Sequence, residues 1–211
     1  MVEACLVDVY ETILTCDFTP FRRELPALAG IDAAAWQDAY ERVGPAQNIG
    51  QLSRAQVYEI MLRACAPARP PRDGLIEDLV NLDRELLLAS ATVHPDTMPF
   101  LELLRARGIT IVIVSNCSEH TRALLTSTGI ADLADSLVLS CEVGSIKPAP
   151  QIFRHALSAA GVDAADALFV DDQRAFCAGA EVLGISAVQI VRDGELPAGA
   201  VRSLLDLVPR L

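Results

Sequence analysis

Four short stretches hold the residues that could do chemistry. Asp8 ends the apolar run Val2-Glu3-Ala4-Cys5-Leu6-Val7 and opens Asp8-Val9-Tyr10-Glu11-Thr12. Ser115-Asn116 ends the apolar run Ile109–Val114, and Asp171-Asp172 ends the run Ala167–Val170. Lys147 lies in Gly144-Ser145-Ile146-Lys147-Pro148, a loop that opens a helical pattern. A carboxylate delivered at a strand tip can attack phosphorus and form an acyl phosphate. Its charge repels that of a phosphorylated substrate, so a divalent cation is needed between them. Adjacent carboxylates can hold one, because Mg²⁺ prefers oxygen ligands. A hydroxyl and a lysine suit the remaining phosphoryl oxygens, over which transition-state charge is spread.

The elements that must position these residues follow from periodicity. After the first strand, Asp32 can cap a helix that runs to Val43, with Trp36 and Tyr40 on one face. Ser53 can cap a second helix through Val57, Ile60, Met61 and Ala64, Pro67–Arg72 reads as a linker, and Asp73 opens a third pattern through Leu75, Leu79, Leu82, Leu86 and Leu87. Residues 15–93 therefore read as a small helical bundle inserted after strand one.

From there strand and helix alternate. Pro95–Arg107 is a helix closed by Gly108. Ser118 caps a helix ended by Gly129, and Leu137–Leu139 is a short strand. Pro150 starts a helix ended by Gly161, and Ala175–Leu183 is a helix ended by Gly184. Ala187–Val191 is the last strand, followed by a helix around Leu204. Such alternation means right-handed crossovers and an α/β fold with a doubly wound parallel sheet. Ligands in such sheets bind beyond the carboxyl ends of the strands, where Asp8, Ser115 and Asp171 all fall.

The order Asp8…Thr12, Ser115, Lys147-Pro148, Asp171-Asp172, followed by Gly179-Ala180…Gly184, resembles the four motifs of the haloacid dehalogenase superfamily. The resemblance implies a Rossmann-like catalytic core over residues 1–14 and 94–211, with 15–93 as a helical cap that closes over the site and chooses the substrate. It implies Asp8 as nucleophile, with Mg²⁺ held by Asp8, the main-chain carbonyl of Tyr10, Asp171 and Asp172. Thr12 then supports the turn, Ser115 binds the transferring group, Lys147 orients and neutralises Asp8, and Asn116 contacts the substrate or the reaction loop. The expected activity is hydrolysis of a small phosphorylated metabolite through an aspartyl phosphate.

Two positions depart from the phosphatase pattern of that superfamily. Two residues after the nucleophile the family carries an aspartate that protonates the leaving oxygen; here it is Tyr10. A phenol, ordinarily titrating near ~10, is a poor base at neutral pH. The next position is usually glycine and here is Glu11, which is weighed as a stand-in acid/base. Tyrosine at the position of Tyr10 is typical of the superfamily's 2-haloacid dehalogenases, in which an ester forms on the nucleophile and neither metal nor leaving-group proton is needed. That alternative asks the cap for an arginine, with Arg22, Arg23 and Arg42 available, but Asp171-Asp172 fits the metal-binding form of the fourth motif. A third alternative is a catalytically silent member that binds a ligand or partner through its cap.

Bulk properties bound these readings. With 211 residues and 52% hydrophobic content, the chain can bury a core. A net charge of −11 disfavours nucleic acid or anionic membrane as partners. The six cysteines show neither C-x-x-C nor zinc spacing, and with no leader segment ahead of strand one they suit a reducing cytoplasm. His94 reads as a loop residue, His120 as helix surface and His155 as packing or surface. Trp36, Tyr40 and Tyr58 read as cap core, and Gln47-Asn48-Ile49-Gly50 as a loop that could reach the substrate. A monomer or a homodimer is expected.

Overall fold

Strand β1 (Ala4–Val7) is buried over its whole length. In this computed structural model, which describes residues 1–68 and 70–211, a tight turn carries the chain from β1 into a short strand β2 (Leu14–Cys16). Arg69, within the expected linker Pro67–Arg72, lies outside the described residues. Four helices follow: α1 (Thr19–Ala29), α2 (Ala33–Asn48), α3 (Arg54–Cys65) and α4 (Leu75–Ser90). Strand β3 (Ala91–Val93) then pairs antiparallel with β2, Leu14 opposite Val93. The helical excursion thus leaves and returns through one two-stranded ribbon.

The remainder alternates as the patterning predicts. Helix α5 (Thr97–Ala106) precedes β4 (Thr110–Ser115), then α6 (Thr121–Ser127), α7 (Ile130–Leu133) and β5 (Ser136–Leu139). Helices α8 (Ser140–Val143) and α9 (Pro150–Ala160) lead to β6 (Ala167–Asp171), α10 (Arg174–Glu181) and β7 (Ser186–Gln189). The five long-sheet strands are all parallel, in the order β5-β4-β1-β6-β7. The order reverses at β1, which has β4 on one side and β6 on the other. Crossovers leave to opposite faces there and open a crevice at the strand tips.

Side-chain alternation along the strands feeds a core on each face of the sheet. Cys5, Val7, Ile111, Ile113, Leu168 and Val170 pack on one face. Leu6, Val112, Val114 and Phe169 pack with Ile152 and Phe153 on the other. The helical insert has a core of its own, in which Leu25, Trp36, Tyr58, Met61 and Leu79 meet. Among the described residues, no helix is long and apolar enough to cross a membrane.

Several local expectations are corrected. Helix α1 has no counterpart in the sequence reading, because Pro20 and Pro26 mask its pattern; Pro20 occupies the first turn, where no N–H is required, and Pro26 sits inside. Asp32 and Ser53 do cap α2 and α3, and Ser53 forms a reciprocal capping box with Gln56. Ser118 does not cap α6, which starts after His120 without a side-chain cap. The last segment, Leu204–Arg210, is a 3₁₀ helix rather than an α-helix. Its buried residues Leu204 and Leu207 stand three apart, the 3₁₀ period, and Pro209 removes an α-helical donor.

Gly179 on α10 explains one of the glycines after Asp171-Asp172. A Cβ there would lie 2.7 Å from Pro148 Cβ and 2.9 Å from the Pro148 carbonyl oxygen. The absent side chain lets α10 seat the loop that carries Lys147. Gly179→Ala is expected to cost about 1–3 kcal/mol by overpacking, at roughly 2–4 °C per kcal/mol for a chain this long. A thermal melt checks this, and an unchanged Tm would show that the loop yields freely.

Candidate active site

Three adjacent strand tips and one loop build the site. The Asp8 N–H donates to the Val170 carbonyl at 3.0 Å, so the turn after β1 stays in register with β6. Ser115 is the last residue of β4 and Asp171 the last of β6. Lys147 enters from the loop between α8 and α9 and is 2% exposed. Its Nζ donates to Asp8 Oδ1 and, at 2.6 Å, to Asp171 Oδ2. Asp171 Oδ1 accepts from the Gln173 N–H at 2.8 Å. Asp8, Asp171 and Asp172 present carboxylate oxygens that all lie within 4.8 Å of one another.

This cluster sets the ammonium of Lys147 between the buried carboxylates of Asp8 and Asp171, with the half-buried Asp172 beside them. Burial, then the charge of Asp8, pushes Asp171 up to about 7, only partly offset by Lys147. The same two causes push Asp172 up to about 6. Burial works against the charge of Lys147, but Asp8 and Asp171 outweigh it and raise the ammonium above its ordinary value. The arrangement is short of positive charge.

Asn116 secures the lysine. Its Nδ2 donates to the Lys147 carbonyl at 2.9 Å and its Oδ1 accepts from the Lys147 N–H at 2.6 Å. Both ends of the amide are thus engaged with the reaction loop. Ser115 Oγ and Thr12 Oγ1 are buried without a protein partner, a condition that buried hydroxyls rarely tolerate without a function or a bound water.

Glu11 does not join the cluster. It is exposed, its Oε1 accepts from Thr15 Oγ1 at 2.8 Å, and its φ is 57°. That left-handed backbone accounts for glycine in the equivalent family position, since a side chain there costs roughly 1–2 kcal/mol. The Tyr10 hydroxyl pairs with Thr121 Oγ1 at 3.0 Å, and burial raises the phenol well above its ordinary value. Neither residue presents a free acid to the strand tips.

Beside the cluster lies a cavity of about 390 Å³ between the helical insert and the sheet. Tyr10, Asn116, Cys117 and Ser118 border it from the sheet side, and α1 to α4 supply the opposite wall. Of the three arginines weighed from sequence, Arg22 lines this cavity. Arg23 is exposed and paired with Glu24 at 2.8 Å, and Arg42 is exposed outside it. The buried arginine of the cavity is Arg54, which the sequence reading missed. Its Nε lies 2.5 Å from Asp83 Oδ2, and its guanidinium stands 5.9 and 5.7 Å from the Tyr40 and Tyr58 ring centres. The signal was there: Arg54 shares a helical face with Val57, Tyr58 and Met61, and Asp83 one with Leu79 and Leu86. One charge in each of two facing apolar stripes implies a buried pair.

Three more residues differ from expectation. His120 is no surface residue; its largely buried Nε2 lies 3.7 Å from Asp83 Oδ2. Arg192, unremarked in sequence, donates to the Thr12 carbonyl and, at 2.7 Å, to Asp96 Oδ2, bracing the turn after Asp8 from behind. Of Gln47-Asn48-Ile49-Gly50, expected as a loop, Gln47 and Asn48 instead end α2, which continues past Val43; Asn48 lines the cavity, whereas Gly50 packs against Cys141, whose carbonyl oxygen lies 2.1 Å from where a Cβ would stand. Trp36 and Tyr58 form the expected insert core, stacked at 5.6 Å, and with Tyr40 also line the cavity.

Comparison with known proteins agrees with this architecture. "Phosphatase MT3486" of Mycobacterium tuberculosis is 34% identical, over 62% of this chain and 60% of its own length. "(S)-2-haloacid dehalogenase 4A" of Burkholderia cepacia is 29% identical, over 60% of this chain and 53% of its own. The chain thus matches less than two thirds of either relative. A solved HAD phosphatase from Thermococcus onnurineus superposes with a TM-score of 0.65 and 27% identity, covering 99% of this chain and 97% of that one. The model of the family described as haloacid dehalogenase-like hydrolase matches residues 2–184, and the chain belongs to that family.

Proposed function

We propose that this protein is a Mg²⁺-dependent phosphatase of a small phosphorylated metabolite, acting through an aspartyl phosphate on Asp8. The observation that carries the reading is the carboxylate set Asp8, Asp171 and Asp172 within 4.8 Å, served by the one ammonium of Lys147. Displacement of halide from carbon has no use for such a set. The phosphatases among its relatives support the same reading.

The donors suit the ion: all are hard oxygens, and the raised Asp171 and Asp172 mark a site that an added cation would relieve. Asp8, Asp171 and Asp172, with the Tyr10 carbonyl, would hold it. When bound, Mg²⁺ supplies the charge neutralisation between Asp8 and an incoming phosphoryl group. Asp8 attacks phosphorus and the bond to the leaving oxygen breaks. Ser115 donates its free hydroxyl to a phosphoryl oxygen, Lys147 neutralises and aims Asp8, and Asn116 holds Lys147. Water then releases phosphate from Asp8. The helical segment 15–93 acts as the cap. A cytoplasmic monomer or homodimer, with no nucleic acid or membrane partner, goes with this reading; the −11 net charge and the free cysteines support it.

Tyr10 favours a second reading, a 2-haloacid dehalogenase with an ester on Asp8. One assay separates the two: p-nitrophenyl phosphate with Mg²⁺ or with chelator, wild type beside Asp8→Asn, and halide release from 2-chloropropionate in parallel. Metal-dependent phosphatase turnover is expected, falling at least ~10³-fold in Asp8→Asn. Halide release that survives chelator, without phosphatase turnover, would establish the dehalogenase. Failure of both would leave a silent binder.

The carboxylate shifts set a pH dependence. Asp171 and Asp172 bind protons more tightly folded than unfolded, where an aspartate titrates near ~3.9. Between about pH 4 and 7 the folded metal-free protein holds the extra protons, so stability falls as pH rises through that window. Tm in chelator is expected to drop from about pH 5 to about pH 8, and Mg²⁺ to raise Tm more at the higher pH. An equal Mg²⁺ effect at both would place the ion away from these carboxylates.

A further inference from the structure

Aromatic residues are scarce in this chain and gathered in one place. Of one tryptophan, three tyrosines and six phenylalanines, the tryptophan, all three tyrosines, Phe18 and Phe21 line the cavity that Asn116 borders. Packing explains part of this, since Trp36 and Tyr58 are buried and stacked. It does not explain Phe18, which is 45% exposed on the same wall with its ring 5.4 Å from that of Phe21 and 6.2 Å from that of Tyr10. A dry cavity of ~150 Å³ holds benzene, so 390 Å³ admits a substituted ring with its ester oxygen.

A second, independent observation concerns protons. The Tyr10 hydroxyl is engaged by Thr121. Among the described residues, Asp83 is the only carboxyl lining the cavity and no histidine lines it; Asp83 is held by Arg54 at 2.5 Å. Glu11 is tied to Thr15. The cavity is lined with aromatic rings and, among the described residues, offers no free carboxylic acid.

We infer that the substrate is a phosphate ester of a planar aromatic alcohol, whose oxygen leaves as an aryloxide without a proton from the protein. This rests on the phosphatase reading above. Asp8 attacks phosphorus, the P–O bond to the ring breaks, and its electron pair leaves on the aryl oxygen. Water then attacks the aspartyl phosphate, the P–O bond to Asp8 breaks, and Asp8 departs as carboxylate. The water proton goes to the aryloxide, giving the phenol and hydrogen phosphate. A phenol titrates near ~10, several units below an alkanol, so an aromatic ester is spared the missing acid where an alkyl ester is not.

The test compares phenyl phosphate with cyclohexyl phosphate, similar in size but saturated, and with acetyl phosphate, a ringless acyl phosphate with a good leaving group. Wild type with Mg²⁺ is expected to favour phenyl over cyclohexyl phosphate at least ~10²-fold in kcat/KM, the usual worth of general acid catalysis. Tyr10→Asp should shrink that ratio about tenfold or more by raising cyclohexyl turnover. Phe18→Leu, at an exposed position where folding is little at risk, should lower the phenyl-to-acetyl ratio several-fold. Equal turnover of phenyl and cyclohexyl phosphates, with acetyl phosphate hydrolysed in an Asp8-dependent way, would overturn the inference and leave the phosphatase standing. A Phe18→Leu ratio equal to wild type would overturn the part played by the ring wall. No Asp8-dependent turnover of any of the three would remove the phosphatase reading itself.

Discussion

The buried ammonium of Lys147 between Asp8 and Asp171 is the interaction around which the rest is arranged. An ion cluster out of water is worth having only if every charge is partnered and held, because removing one member leaves the others uncompensated at a cost of about 3–5 kcal/mol. The fold meets that demand from widely separated parts of the chain. Strand tips β1 and β6 bring the carboxylates, Asn116 at the tip of β4 grips the lysine backbone, and Gly179 on α10 leaves room for the loop. Arg192 braces the turn beyond Asp8 from the far side. Sheet order makes this possible: β4, β1 and β6 are consecutive neighbours, so their polar termini meet without any long reach.

Features usually kept apart share this crevice. The sheet side carries three carboxylates grouped closely enough to hold a metal ion, while Tyr10 stands two residues after Asp8 with its hydroxyl already bound to Thr121. The structure shows why the neighbouring Glu11 offers no repair. Its left-handed backbone and its bond to Thr15 carry the carboxylate toward β2, so the one-residue offset matters more than the chemical type. Geometry precedes pKa in deciding who transfers a proton.

The sheet and its tips were legible because each signal is local. Buried β-branched runs end in polar residues, and glycine or proline punctuates the intervening helices. Helix α1 was not, since two prolines in eleven residues argue against a helix on propensity alone, and packing overrode them. At the site, motif order brought out Asp8, Ser115, Lys147 and Asp171, yet the service Asn116 gives Lys147 is visible only once the strands are assembled. Arg192 and Thr12 stand too far apart in sequence for any pattern to join them. Arg54 and Asp83 could have been paired from their shared intrusion into apolar stripes.

The contact between Gly50 and Cys141 gives the helical insert a mechanical seat. Main chain meets main chain there with no side chain between, at a spacing that a single methyl group would block. The chain enters and leaves the insert through the β2–β3 ribbon, and the Gly50–Cys141 contact is a second, separate point at which the insert meets the core. How closely the insert can approach Cys141 is set there by the thickness of a peptide backbone, a dimension that does not rotate as a side chain would.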